Sequence, residues 1–108
     1  MRTYHGQRTE NGCVVTVNGD LQGCESTLSL RLDLRNHSPT GFEWGYGGSG
    51  PSQLALALCA HVVGDAVAAK VYQAFKMRAI ATIRADEWWL DETTIRDEIE
   101  RIEKDRIR

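Results

Sequence analysis

Proline is nearly missing from this 108-residue chain. It occurs at Pro39 and Pro51 and nowhere later, and glycine stops at Gly64. With both breakers gone, the rest of the chain is free to run as helices. Cysteine is scarce and odd in number, with Cys13, Cys24 and Cys59 widely spaced. No C-x-x-C pair exists, which argues against a zinc site and against a disulfide framework. Cys59 sits inside an apolar run and reads as a small buried hydrophobe, while Cys13 and Cys24 could approach each other across a hairpin. Long hydrophobic stretches are also lacking. The longest, Leu54 to Ala60, falls far short of the ~18–20 residues of a membrane span. Met1-Arg2-Thr3-Tyr4-His5-Gly6 has no apolar run behind its Arg, so it does not read as a secretory signal. A cytoplasmic protein without membrane contact is expected.

Charge of one sign is missing as well. Thirteen basic residues face fifteen acidic ones, a net charge of −2. That balance speaks against nucleic acid as a partner and against an extended acidic mimic of DNA. What is present, 42% apolar and 26% charged residues, is ordinary for a folded chain of one domain's size, taken as residues 1–108.

The first third reads as a sheet. Cys13-Val14-Val15-Thr16-Val17 is a β-branched run between Asn11-Gly12 and Asn18-Gly19, two dipeptides suited to hairpin turns. Thr3 to Arg8 is placed to pair with it. Leu28, Leu30, Leu32 and Leu34 alternate with Ser29, Arg31, Asp33 and Arg35, the period of a half-buried strand. The expectation is a small antiparallel sheet of about three strands, covered on one face by three helices: an α+β fold.

The helices follow from Pro51, suited to a first helical position. Leu54-Ala55-Leu56-Ala57-Leu58-Cys59-Ala60 has no polar face and should be buried on most sides. Gly64 suits the helix stop, and the Asp65 carboxylate is placed to cap the next helix. That helix carries Val67, Val71, Ala74, Phe75 and Ala79 on one stripe and is expected to reach about Arg84. Trp88-Trp89-Leu90 breaks the period and reads as a short edge strand or a packed corner, with one ring in the core and one outside. Asp91 should cap a last helix whose Ile95, Ile99, Ile102 and Ile107 form a narrow seam. The seam is expected to dock on the chain's own body; a homodimer through this C-terminal helix is the alternative.

The segment from His37 to Gln53 differs from plain scaffold. Five glycines lie between residues 41 and 50, with Phe42, Trp44 and Tyr46 interleaved. Ordering so many glycines is costly, and the rings supply rigid surface that could plug the sheet or receive a partner. Candidate binding residues are His37, Phe42, Glu43, Trp44, Tyr46, Gly47, Gly48 and Ser49. The loop feeds a helix start, where free N–H groups can hold an anion. Gly45-x-Gly47-x-x-Gly50 matches the dinucleotide fingerprint formally, but the chain lacks its βαβ setting, and Pro51 stands where a phosphate loop needs lysine. No cofactor is expected. His37, Glu43 and Ser49 could supply a base, an acid and a nucleophile, yet Gly48-Ser49-Gly50-Pro51 is not a nucleophile elbow. His61, after the buried helix, reads as a satisfied boundary residue.

His37-Ser38-Pro39, Gly41-Phe42-Glu43-Trp44-Gly45-Tyr46-Gly47-Gly48-Ser49-Gly50-Pro51 and Gln53-Leu54-Ala55-Leu56-Ala57-Leu58 together resemble the central motif of a family of small uncharacterised proteins. Tyr4-His5-Gly6, Tyr72-Gln73-x-Phe75-Lys76 and Trp88 with Leu90 are similar to its other marks. The resemblance implies an origin in bacteria, their phages and mobile elements, and it brings no catalytic residues. Small size, balanced charge and a rigid aromatic loop point to a non-enzymatic binding protein. In a phage or mobile-element setting its partner would be a host protein or complex, for example a defence system such as CRISPR. Two alternatives stand beside this: binding of a nucleotide or other small anionic ligand at the Gly-rich loop, and a small hydrolase using His37 and Glu43.

Overall fold

The computed structural model describes residues 1–19 and 25–107. Strand β1 (Thr3–Thr9) pairs antiparallel with β2 (Gly12–Asn18), in a register that sets Tyr4 opposite Val17 and Gly6 opposite Val15. The hairpin turns at Asn11-Gly12, where Gly12 takes φ 110°. Strand β3 (Glu25–Thr27) joins β2, and β4 (Glu87–Asp91) joins the other side of β1. The sheet is thus four-stranded, ordered β3-β2-β1-β4, with Trp88-Trp89-Leu90 in an edge strand. The second turn dipeptide leads into residues 20–24, which lie outside the described residues, as does the proposed proximity of Cys24 to Cys13.

Burial alternates along the strands, and this gives the sheet one covered and one open face. Tyr4, Val15, Val17 and Trp88 are buried, whereas Gln7, Val14 and Trp89 are exposed. Gly6 lies on the covered side under the Trp88 indole. A Cβ there would stand 2.2 Å from the ring, so only glycine admits this packing.

Helix α1 (Ser49–Val63) buries twelve of its residues, among them Leu54, Leu56, Leu58 and Cys59. It packs against α2 (Asp65–Phe75), α3 (Glu92–Ile107) and a π-helical segment at Lys76–Ile80. A helix without a polar face needs neighbours on several sides, and α1 is accordingly the centre of the helical layer. It stops at Gly64, whose N–H reaches Ala60 O. Ile95, Ile99 and Ile102 are buried in the chain's own core, and the Asp91 carboxylate accepts from Thr94 N at 2.7 Å. Through these three residues the seam therefore docks inward, capped as expected, while the Ile107 side chain lies outside those described.

Four local expectations need correction. Leu28 to Leu34 is not a strand: pairing ends at Thr27, and residues 32–34 form a turn after Arg31, whose φ is +54°. The carbonyls a strand would offer are taken elsewhere, since the Gln53 amide donates to Leu30 O and Arg35 O. Leu28 is buried, but Leu32 is exposed. Asp65 does not cap α2 through its side chain. Gly64 stands at the cap, and the Asp65 carboxylate instead pairs with Arg31 at 2.9 Å. Helix α2 ends at Phe75 and continues only as the π-helical segment to Ile80, with Ala74 exposed rather than buried. Pro51 is the third residue of α1, still in the first turn, where its missing N–H costs nothing.

Candidate functional site

The loop from His37 to Gly48 is fastened at both ends. At its start, Gln53 is fully buried on α1 and uses both ends of its amide. Its Oε1 accepts from His37 N at 2.8 Å and Ser38 N at 3.0 Å, while its Nε2 serves Leu30 O and Arg35 O. One side chain thus satisfies four main-chain groups from two stretches of coil, which makes its burial affordable. The His37 ring reaches Tyr72 Oη at 2.8 Å. Burial, and then the nearby Arg35 and Lys76, hold its pKa below the ordinary histidine value.

At the other end the rings go inward. Phe42 is buried and Trp44 is wholly enclosed. The Trp44 indole donates to Ala85 O at 2.9 Å and meets Trp88 edge-on at 5.5 Å. Arg8 lies over its other side, with the guanidinium carbon 4.8 Å from the ring centre. That guanidinium also donates to Glu43 Oε1 at 2.8 Å, Trp44 O at 2.9 Å and Asp86 Oδ1 at 2.9 Å. Burial pushes the Glu43 carboxyl up. The hydrogen bonds from Arg8 and the Trp44 N–H outweigh that, leaving its pKa below the usual value. Glu43 packs on the first turn of α1, where a Cβ on Gly50 would fall 2.6 Å from the Glu43 Cβ.

Beyond the Trp44 anchor, on the way into α1, the loop presents its surface. Tyr46 is 52% exposed, and its ring lies over Gly48, where a Cβ would stand 2.4 Å away. Glycine at 48 gives the ring room to approach the backbone. Met77, from the π-helical segment, is 57% exposed and sits beside Gly47. Lys76 donates to Gly47 O and Ser52 Oγ, and Arg84 donates to Gly45 O. A Tyr46–Met77 patch therefore stands on a backbone whose carbonyls are held by cations, with those cations along its rim.

The candidate residues divide accordingly. Phe42 and Trp44 are core, Glu43 and His37 are engaged by different partners, and Tyr46, Gly47, Gly48 and Ser49 are gathered at the α1 start. Sequence reasoning missed Arg8, Gln53, Lys76 and Met77. Arg8 carried a signal, since it falls on the core-facing parity of β1 with Tyr4 and Gly6. A buried-helix glutamine such as Gln53 carried one too. Lys76 and Met77 depend on the register of the π-helical segment. His61 is satisfied as expected: Arg2 can only donate to its Nδ1, so Tyr4 Oη donates there as well, at 2.6 Å. Burial lowers the His61 pKa and raises that of Tyr4 to about 12.

The fold and site together define a small α+β protein with a braced glycine-aromatic loop. Residues 4–101 match a family of unknown function, DUF6166, and the chain belongs to that family. No curated protein and no solved structure matches it. Among the described residues, no group of three or more His, Cys, Asp or Glu side chains is placed to hold a metal, and no helix is long and apolar enough to cross a membrane.

Proposed function

We propose that this is a non-enzymatic binding protein that recognises a macromolecular partner through the Tyr46–Met77 patch. One observation carries the reading: in a loop whose Phe42 and Trp44 rings are buried, Tyr46 stands half exposed on a main chain whose carbonyls at Trp44, Gly45 and Gly47 are each held by a cation. A rigid aromatic beside a flexible thioether is the composition of an interface hot spot, and little ordering entropy remains to be lost on binding. Lys76 and Arg84 at the rim call for a partner surface with an apolar centre and acidic edges. A standard interface needs ~800 Å² from each partner, so neighbouring surface must join the patch. The reading extends, on the motif resemblance alone, to a phage or mobile-element protein whose partner is a host defence complex such as a CRISPR effector.

The test is capture from bacterial lysate on the immobilised chain, run in parallel with a Tyr46→Ala/Met77→Ser variant. Retention of a defined macromolecule by the parent and its loss by an equally stable variant is the expected result. Equal retention by both, or none by either, overturns the reading. A thermal-shift series with nucleotides addresses the small-anion alternative, for which a hundredfold excess over Kd should stabilise by ~2.7 kcal/mol. That alternative has less behind it. Lys76 is already committed to Gly47 O and Ser52 Oγ, Pro51 has no N–H, and Ser52 N is bonded to Gly48 O.

A further inference from the structure

The open face of the sheet is not an even polar surface. Its central row runs Trp89, His5, Thr16 and Thr27 across all four strands, as the pairings require. Trp89 is 60% exposed, while the other two tryptophans, Trp44 and Trp88, are 0% and 7% exposed. One face of the Trp89 indole is stacked on His5, with centroids 4.7 Å apart and planes 6° from parallel. The imidazole is itself held, with Nε2 2.7 Å from Glu87 Oε2. The indole is thus fixed from beneath and turned outward.

The charges around it have one sign. Register places Glu87 on this face in β4 and Glu25 in β3, while Asp91, of the same parity, is engaged at the α3 cap. Among the described residues, no lysine or arginine occupies an outward position on any of the four strands. Arg8 has the opposite parity and lies under the sheet against Trp44. The helical side of the molecule has the reverse character at its loop, where Lys76 and Arg84 gather.

We propose that this face docks an arginine-bearing segment of a partner protein, with one guanidinium stacking on the outer surface of Trp89 and its neighbours meeting the Glu25 and Glu87 carboxylates. A guanidinium suits both demands, since it stacks on aromatic planes and pairs with carboxylates, whereas an ammonium does only the second well. A phosphate backbone would meet the Glu25 and Glu87 carboxylates and no outward lysine or arginine on the described strands, so single-stranded nucleic acid does not fit despite the exposed ring.

The distribution of tryptophans supplies the assay. Acrylamide quenching of the intact chain reports mainly on Trp89. A short Arg-rich peptide should protect that emission, move the amide resonances of residues 3–7, 14–16 and 87–91, and bind more weakly as salt rises. The Lys-for-Arg peptide should bind less tightly and the Glu-for-Arg peptide not at all. Trp89→Ala should weaken the Arg-rich peptide about threefold to thirtyfold, the range of a cation–π contact. Glu25→Gln/Glu87→Gln should weaken it further at low salt. Both variants alter exposed residues and should fold, which circular dichroism checks. Unchanged affinity in Trp89→Ala, or resonance shifts confined to the helices, overturns the proposal. So does binding of oligo-dT at Trp89, or self-association abolished by Trp89→Ala, which would make the occupant a second copy. The Tyr46→Ala/Met77→Ser variant should bind the peptide normally, so failure here and failure of the loop reading are separable.

Discussion

The glycine-aromatic loop and the open sheet face both expose one large aromatic residue, and they hold it by different means. Tyr46 rides on main chain held by Arg8 at Trp44 O and by Lys76 at Gly47 O, in a loop whose start is held by Gln53, all side chains from other parts of the fold. Trp89 is braced on the surface by a stacked imidazole and one carboxylate, above a strand that needs neither. The first arrangement ties presentation to stability, because loosening the brace also opens buried polar groups. The second leaves presentation almost free of stability. An aromatic on a regular strand is cheap to keep and easily changed, whereas one on an irregular loop requires a dedicated interior.

The largest effect that could break this contrast lies at Gln53. Gln53→Leu keeps the volume but orphans His37 N, Ser38 N, Leu30 O and Arg35 O. We expect a loss of about 3–5 kcal/mol in urea unfolding, given ~1–3 kcal/mol for each buried group that finds no water. A loss below 1 kcal/mol would show that the brace is dispensable. Arg8→Ala comes next. The guanidinium is about one-third exposed, so solvent screening holds the cost to roughly 1–2 kcal/mol, accompanied by a changed near-ultraviolet signal from Trp44. An unchanged spectrum would mean that Trp44 is positioned without it.

Acid provides a smaller and graded test. His37 and His61 both have folded pKa values below the ordinary ~6.5. Their contribution to stability is therefore complete above that value and is lost as pH falls through the lowered folded values. The urea midpoint should decline between pH 7 and 5, and His61→Gln should flatten the decline. A parent midpoint that is constant over this range would contradict the lowered values of both rings. The smallest effect belongs to Trp89→Ala, expected to change stability by no more than ~0.5 kcal/mol while removing most acrylamide-sensitive emission. A larger loss would place the open face among the structural elements and erase the contrast.

Much of the scaffold could be read from local pattern. Asn11-Gly12 and the β-branched run after it specified the first hairpin. The apolar run from Leu54 specified the central helix, and Asp91 with the isoleucine spacing specified the last one. The leucines from 28 to 34 misled because alternation reports which side faces inward and says nothing of where the carbonyls are bonded. Gln53, far along the chain, had claimed two of them. Within the site, Phe42, Trp44 and Tyr46 have the same spacing and nearly the same chemistry, yet two are core and one is surface. That division depends on Arg8, Ala85 and Trp88 closing around Trp44, contacts between distant parts of the chain. The cations at the rim were invisible for the same reason, since Lys76 reaches Gly47 only through the helical turn that carries it.

The order of the strands has a consequence for how the protein is made. β1 is synthesised long before its second neighbour, Glu87–Asp91, whose Asp91 pairs with Thr3. Until residues 87–91 are made, one flank of β1 waits unpaired, an invitation to neighbouring nascent chains on the same message. Translation halted anywhere before residue 87 should thus release a sticky fragment rather than a shorter working protein.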